Sequence, residues 1–320
     1  MKAAIVSGPN QTPIYGDFST PAAAPGEYSV TVTAAALSQL VKSRASGAHY
    51  SSSGRFPFVV GVDGVGRLDD GRRVYFLLPE APYGSMAEKV VIKPSQCIPL
   101  PDDLDDITAA AIANPGMSSW AAFNERARLV AGETVLVNGA TGTAGRLAVQ
   151  IAKHLGAGKV IATGRNVEAL KSLEALGADV TIPLETDGEM LEGAFKGQFA
   201  SGVDVVVDYL WGQSAERLLI AAAKSTRGAR PVRFVQIGSI SGDSINLPGA
   251  VLRSSAIELK GSGIGSIPIE RLVKAIDEVL RAAVPGGFMI ATQATPLSGV
   301  EAAWNAKGDL RRTVFVGERA

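Results

Sequence analysis

Between Glu133 and Gly238, short apolar runs of strand type alternate with helical segments, and nothing else in the chain restricts its fold as much. "ETVLVNGA", "KVIATG", "DVTIPL", "VDVVVDYL" and "VRFVQIG" are short, rich in Val and Ile, and bounded by turn residues. "TAGRLAVQIAKHLGA", "VEALKSLEALGA" and "QSAERLLIAAAKS" carry the apolar period of helices. Strands that are apolar along their whole length are buried on both faces. The segment is therefore expected to form a parallel sheet covered by helices.

The flanks follow other rules. The first 110 or so residues read as β-rich, with "KAAIVSG", "EYSVTVTAAAL", "RRVYFLL" and "SMAEKVVIK" as strands. "DDITAAAIANPGMSSWAAFNERARL" reads as two short helices split at Asn114-Pro115, because a proline disfavours helical geometry in the residue before it. In the tail, "PIERLVKAIDEVLRAAV" is an amphipathic helix. "GGFMIATQATPL" and "RRTVFVG" read as strands with no helix between them. The alternating segment, 121–265, is thus inserted between two parts of a β-rich domain, 1–120 and 266–320.

Within the insertion, Ala140-Thr141-Gly142-Thr143-Ala144-Gly145 joins a strand to a helix. Such a turn lets the backbone approach a pyrophosphate at Gly142 and the helix pack close at Gly145. The helix N-terminus offers free N–H groups to the anion. Thr141, Gly142, Thr143, Ala144 and Gly145 are the expected phosphate cradle. In NAD-binding versions, a carboxylate about 20 residues further on holds the ribose 2′-OH. Here the next strand ends in Gly164-Arg165-Asn166, with no acid before Glu168. A small residue with an arginine beside it suits a 2′-phosphate, so the expected cofactor is NADP(H), with Lys171 as an auxiliary cation.

Composition removes other classes. Lys+Arg and Asp+Glu are both 31, so there is no basic excess for nucleic acid. Cys97 is the one cysteine, which rules out an internal disulfide and a Cys-rich zinc site. The N-terminal apolar run is too short for a signal peptide, and no stretch could span a membrane. A cytoplasmic, metal-free protein is expected.

Several stretches together resemble the medium-chain dehydrogenase/reductase superfamily and, within it, the zinc-independent quinone oxidoreductase group. They are "MKAAIV", "RFPFVVGVDGVGRL" followed by "GRRVYFLL", "YGSMAEKVVIKPSQCIPLPDDLD", "AAAIANPGMSSWAAF" and "GETVLVNGATGTAGRLAVQIAKHLGA". The resemblance covers nearly the whole chain. It implies an α/β protein, with a Rossmann doubly wound sheet inserted in a GroES-like β-rich domain, a substrate cleft between the two, and a homodimer. Zinc members of the superfamily open their site with a cysteine, where this chain reads "LSQLVKSRASG". They read Gly-His-Glu where it has Gly61-Val62-Asp63. Val62 has no lone pair, Ser38 is a poor zinc ligand, and the four-cysteine structural loop is missing. Zinc alcohol dehydrogenase chemistry thus fails on ligand count, and His49 with Asp63 would make only a two-ligand site. The quinone reductase pattern also departs here. Its Asn-x-x-Asp segment is matched by Ser38-Gln39-Leu40-Val41, and its Arg-x-Gly-x-Tyr-like run only loosely by "RASGAHY", which keeps Tyr50.

The implied reaction is NADPH-dependent hydride transfer to a quinone, enone or related carbonyl. A metal-free version needs hydrogen-bond donors to polarise the acceptor and a source of a proton. Tyr50 is the first candidate and His49 the second. None of the six tyrosines is followed four places on by a lysine, so the short-chain dehydrogenase pair is absent. Gly238 and Ser239, after "RFVQIG", and the "KGSGIGS" run at 260–266 lie where the family's strands approach the nicotinamide. Trp211 is a candidate cleft wall or packing residue. His154 suits a helix C-terminus, and Cys97 is structural. Asp63 is expected to tie down its loop by local hydrogen bonds. "AIELKGSGIG" is the edge strand expected to pair across subunits. A non-catalytic NADPH-binding redox sensor is the alternative from another class. A zinc-free alcohol dehydrogenase or enoyl reductase is a variant of the first reading.

Overall fold

The computed structural model describes residues 1–47, 55–225, 228–306 and 311–317. The chain divides into two compact units, Met1–Asn114 with Asp277–Ala320, and Pro115–Ile276. It passes from one to the other inside a helix, and returns inside another.

The first unit opens with β1 (Lys2–Val6), β2 (Ile14–Asp17), β3 (Tyr28–Ala36), α1 (Gln39–Ala45) and β4 (Phe58–Val59). It continues with β5 (Asp63–Leu68), β6 (Arg73–Leu77), β7 (Lys89–Ile92) and β8 (Cys97–Pro99). β1 pairs antiparallel with β2 and β4, while β3, β5, β6 and β8 build a larger antiparallel sheet. β5 and β6 form a tight hairpin through Asp69-Asp70-Gly71, in which the Leu68 N–H donates to the Arg72 carbonyl at 3.0 Å. Alternating inward residues such as Val30, Val32, Val74 and Phe76 fill the core of this sheet.

α2 (Asp106–Ala121) runs straight through Pro115 and ends in a π-helical turn at Ala122–Ala127. The split expected at Asn114-Pro115 is therefore wrong. A proline inside a helix removes one backbone bond and costs about 3 kcal/mol. Here Ala109–Ala113 and Trp120–Phe123 are buried on both sides of it, and that packing outweighs the local penalty.

The second unit contains β9 (Thr134–Asn138), α3 (Thr143–His154), β10 (Lys159–Gly164), α4 (Val167–Lys171), β11 (Val180–Pro183), α5 (Gly188–Ser201) and β12 (Val205–Asp208). α6 (Gly212–Ser225), β13 (Val232–Gln236), α7 (Gly249–Arg253) and β14 (Ile257–Gly261) complete it. All six strands are parallel, in the order β11-β10-β9-β12-β13-β14. Numbered within the unit this is 3-2-1-4-5-6, the Rossmann doubly wound order, and the switch point falls between β9 and β12. α5 has no counterpart among the expected elements. Its anchors Leu191, Phe195 and Phe199 are spaced by four, but Gly193 and Gly197 weaken the helical signal between them. The expected helix "VEALKSLEALGA" is also shorter than its pattern: α4 ends at Lys171, and a 3₁₀ turn at Glu174–Leu176 follows.

α8 (Ile269–Ala283) leads back to the first unit, where β15 (Thr292–Pro296), α9 (Val300–Trp304) and β16 (Arg312–Val316) close the chain. The tail strands are not continuous. α9 separates them and they pair in parallel, which requires such a crossover. β16 then lies antiparallel to β3 and completes the GroES-like β-rich unit. No helix among the described residues is long and apolar enough to cross a membrane.

Candidate active site

In the second unit all six parallel strands end on the same side of the sheet, and the four around the switch point, β9, β10, β12 and β13, end in Asn138, Gly164, Asp208 and Gln236. β9 leads through Gly139 and Ala140 into α3. Gly142 is the N-cap of α3 and no side chain caps it, so N–H groups of the first turn are left for an anion. Gly145 permits the tight approach that this needs. A Cβ there would run into the Gly139 carbonyl and the Ala140 backbone. Thr141 reaches across to the end of β10, where a Cβ on Gly164 would collide with its methyl and hydroxyl. Thr143 and Ala144 form the first helical turn with Gly145. The residues therefore fit a dinucleotide's pyrophosphate.

Beyond Gly164, Arg165 is exposed and meets no carboxylate among the described residues. Asn166 is spent locally: its Oδ1 accepts from the Ala169 N–H at 2.9 Å and caps α4. Lys171 pairs with Glu168 at 3.2 Å, both exposed. Gly238 follows β13 and donates its N–H to the Asp208 carbonyl at 3.1 Å, and Ser239 is exposed beside it.

Sequence reasoning passes over a buried network at the switch point itself. Asn138 and Asp208 end the neighbouring strands β9 and β12, directly opposite each other. Asn138 Nδ2 donates to Asp208 Oδ1 at 2.7 Å, and Thr163 Oγ1 donates to Asn138 Oδ1 at 2.7 Å. Asp208 also accepts the backbone N–H groups of Leu210 and Trp211. Burial raises the Asp208 carboxyl above its usual range, and these donors oppose the shift. Gly139 N–H bonds to Thr163 Oγ1 at 3.2 Å, so the network ties the phosphate loop to β10 and to the turn after β12. Trp211, with φ +59°, is fixed by this turn and packs against the apolar core of the unit. The signal in the sequence was a polar residue closing each of two valine runs, "VLVN" and "VVVD".

His154 ends α3 and sits against the Trp120 ring, with centroids 5.8 Å apart. Burial pushes the Cys97 thiol up to about 11, so it is held as an unreactive thiol.

In the first unit, Ser38 is the N-cap of α1, and its hydroxyl accepts from the Val41 N–H at 3.1 Å. Val62 is buried in an apolar cluster with Val60, Met86 and Phe315. Asp63 does not tie down its own loop. It is the first residue of β5, 2% exposed, and accepts a hydrogen bond from the Tyr75 hydroxyl on β6 at 2.7 Å. The reason is register. Val65 lies opposite Tyr75, so Asp63 and Tyr75 are diagonal neighbours on one face. Arg312, the first residue of β16, is also buried and acts on Asp63 through its charge. Desolvation pushes the Asp63 carboxyl up to about 6, against the Tyr75 bond and the Arg312 charge. Among the described residues, Asp63 Oδ1 and Arg312 Nε and Nη2 have no hydrogen-bond partner. Tyr50 and His49 lie outside the described residues. Among the described residues, no three His, Cys, Asp or Glu side chains are grouped to hold a metal.

Residues 144–281 match the family model described as zinc-binding dehydrogenase. A probable NADPH-dependent quinone reductase of Emericella nidulans is 31% identical to this chain, over 95% of the chain and 96% of that protein. A solved quinone oxidoreductase from Thermus thermophilus, whose structures include a complex with NADPH, superimposes with a TM-score of 0.82 at 26% identity, covering 99% of this chain and 100% of that one. A probable oxidoreductase from Mycobacterium abscessus gives 0.80 at 27% identity, with 98% of each chain covered.

Proposed function

This chain belongs to the medium-chain dehydrogenase/reductase superfamily, in its quinone oxidoreductase group, and as an oxidoreductase of that group we propose that it passes hydride from NADPH to a quinone, enone or related carbonyl. The observation that carries this reading is the uncapped first turn of α3 facing a strand end that reads Gly164-Arg165 and offers no carboxylate. Thr141, Gly142, Thr143, Ala144 and Gly145 would hold the pyrophosphate. The space that a Cβ on Gly164 would take is filled by Thr141, so Gly164 serves the packing of the phosphate loop on β10 and not the 2′-phosphate, while Arg165 beside it meets the 2′-phosphate with a charge-assisted contact. Asn166 shapes the turn that presents Arg165, and Lys171 adds positive charge nearby. Gly238 and Ser239 border the nicotinamide end. NADPH, when bound, supplies the hydride.

The acceptor needs only modest polarisation, because negative charge delocalises over a conjugated carbonyl. Tyr50 is our first candidate for the donor that polarises the oxygen and passes a proton to it, with His49 second. We also propose that the site works without zinc. Ser38 spends its oxygen on capping α1, Val62 offers no lone pair, and Asp63 is buried and bonded to Tyr75. The functional division follows as substrate-binding segments 1–120 and 266–320 and a cofactor domain at 121–265. A cytoplasmic homodimer pairing through the edge strand β14 completes the reading.

Stopped-flow oxidation of NADPH against a panel of quinones and enones tests it. Turnover with at least one conjugated acceptor is expected. Tight NADPH binding with no turnover on any acceptor would sink the proposal and favour a sensor on the same fold.

A further inference from the structure

Arg146 sits one residue past the phosphate-loop motif, as the fourth residue of α3. Its Nε donates to the Thr141 carbonyl at 3.2 Å. Side chains on a helix lean toward its N-terminus, and this bond holds the guanidinium back against the loop. The head is half-buried, and Nη1 and Nη2 have no partner among the described residues. Burial lowers its pKa, and no carboxylate offsets that shift. Three other arginines of this unit are held by carboxylates. Arg230 pairs with Asp204, Arg233 with Glu133 and Arg271 with Glu125. A partly desolvated guanidinium with two free amino groups and no acid beside it is suited to an anion that arrives from outside.

Its place says which anion. Thr141, which anchors Arg146 through its carbonyl, packs its side chain on Gly164. Gly164 ends β10 and is followed directly by Arg165. Arg146 therefore stands on the loop side of the junction whose strand side carries Arg165. We propose that Arg146 is a second arginine of the 2′-phosphate site, gripping the phosphate from the loop while Arg165 grips it from the strand. Arg146 thus becomes a determinant of NADP(H) over NAD(H) that the glycine motif does not contain. The assignment rests on the NADP(H) reading above.

Calorimetric titration of the intact protein with adenosine 2′,5′-diphosphate and with 5′-AMP reads the contact without turnover, since the two differ only in the 2′-phosphate. Arg146→Ala should weaken the diphosphate by about 10–100-fold and leave 5′-AMP unchanged. Arg146→Lys keeps the charge but not the fork, and should fall between. Arg146→Met keeps the packing of the stem, and should match Arg146→Ala if the head group is what matters. Undiminished binding of the diphosphate by both Arg146→Ala and Arg146→Met overturns the assignment, as does an equal loss of both ligands. A wild-type protein that does not distinguish the two ligands overturns the NADP(H) reading itself.

Discussion

Two glycine-rich runs, "GVDGVGRL" at 61–68 and "GATGTAGRL" at 139–147, look alike on paper and fold into different things. Both follow buried strand residues and both end in Gly-Arg-Leu. The second runs into α3, so the N–H groups of its first turn are left unpaired and can meet phosphate. The first is itself a strand, β5, whose backbone bonds are taken up by β3 and β6. The element that follows a glycine run, rather than the glycines, decides whether it can cradle an anion. The first run carries a different device, a buried carboxylate that accepts from the buried Tyr75 hydroxyl and feels the charge of Arg312.

The largest expected effect breaks that device. Asp63→Ala leaves the buried Tyr75 hydroxyl without its acceptor, and should cost about 1–3 kcal/mol of unfolding free energy in urea. A loss below about 1 kcal/mol, typical of exposed pairs, would show that the cluster is not a buried unit. Next comes the second run. Arg165→Ala should weaken NADPH by about 10–100-fold while leaving NADH nearly unchanged, as read by cofactor fluorescence. Equal losses would place the 2′-phosphate elsewhere.

A pH experiment sharpens the comparison further. The Asp63 carboxyl titrates near 6 in the native protein and near its ordinary 3.8 when unfolded. Between those values the folded state holds the proton that the unfolded state has released. Stability from this group is thus lost as pH rises from about 4 to about 6. The stability of wild type relative to Asp63→Asn should fall across that window. A constant or rising difference would contradict the raised Asp63 carboxyl. Smallest of all is Lys171→Ala. Its exposed pair with Glu168 should be worth a few tenths of a kcal/mol, and NADPH affinity should change less than in Arg165→Ala.

The sheet and the phosphate loop were legible because the central strands β9, β10 and β12 carry near-continuous apolar runs, and each link is helical or turn-like. Legibility failed where tertiary packing overrode a local signal. Pro115 lies inside α2 because buried residues on both sides hold the helix together. β15 and β16 pair in parallel through α9, only five residues long, which leaves too few turns for a periodic signal. Asp63 could be marked as unusual from its neighbours in sequence, but Tyr75 and Arg312 are brought to it by strand register. Asn138 and Asp208 likewise meet only because β9 and β12 are adjacent. Arg146 could not be chosen from the motif, since its role depends on where Thr141 packs.

The contrast between the runs carries one proposal: the second holds NADPH, and the first does its work without a metal. Oxidation of NADPH by a quinone acceptor, followed before and after exhaustive chelation with zinc content measured on the same samples, tests both halves. The account predicts an unchanged rate and sub-stoichiometric zinc throughout. Stoichiometric zinc, with activity that disappears on chelation and returns when zinc is restored, would contradict it.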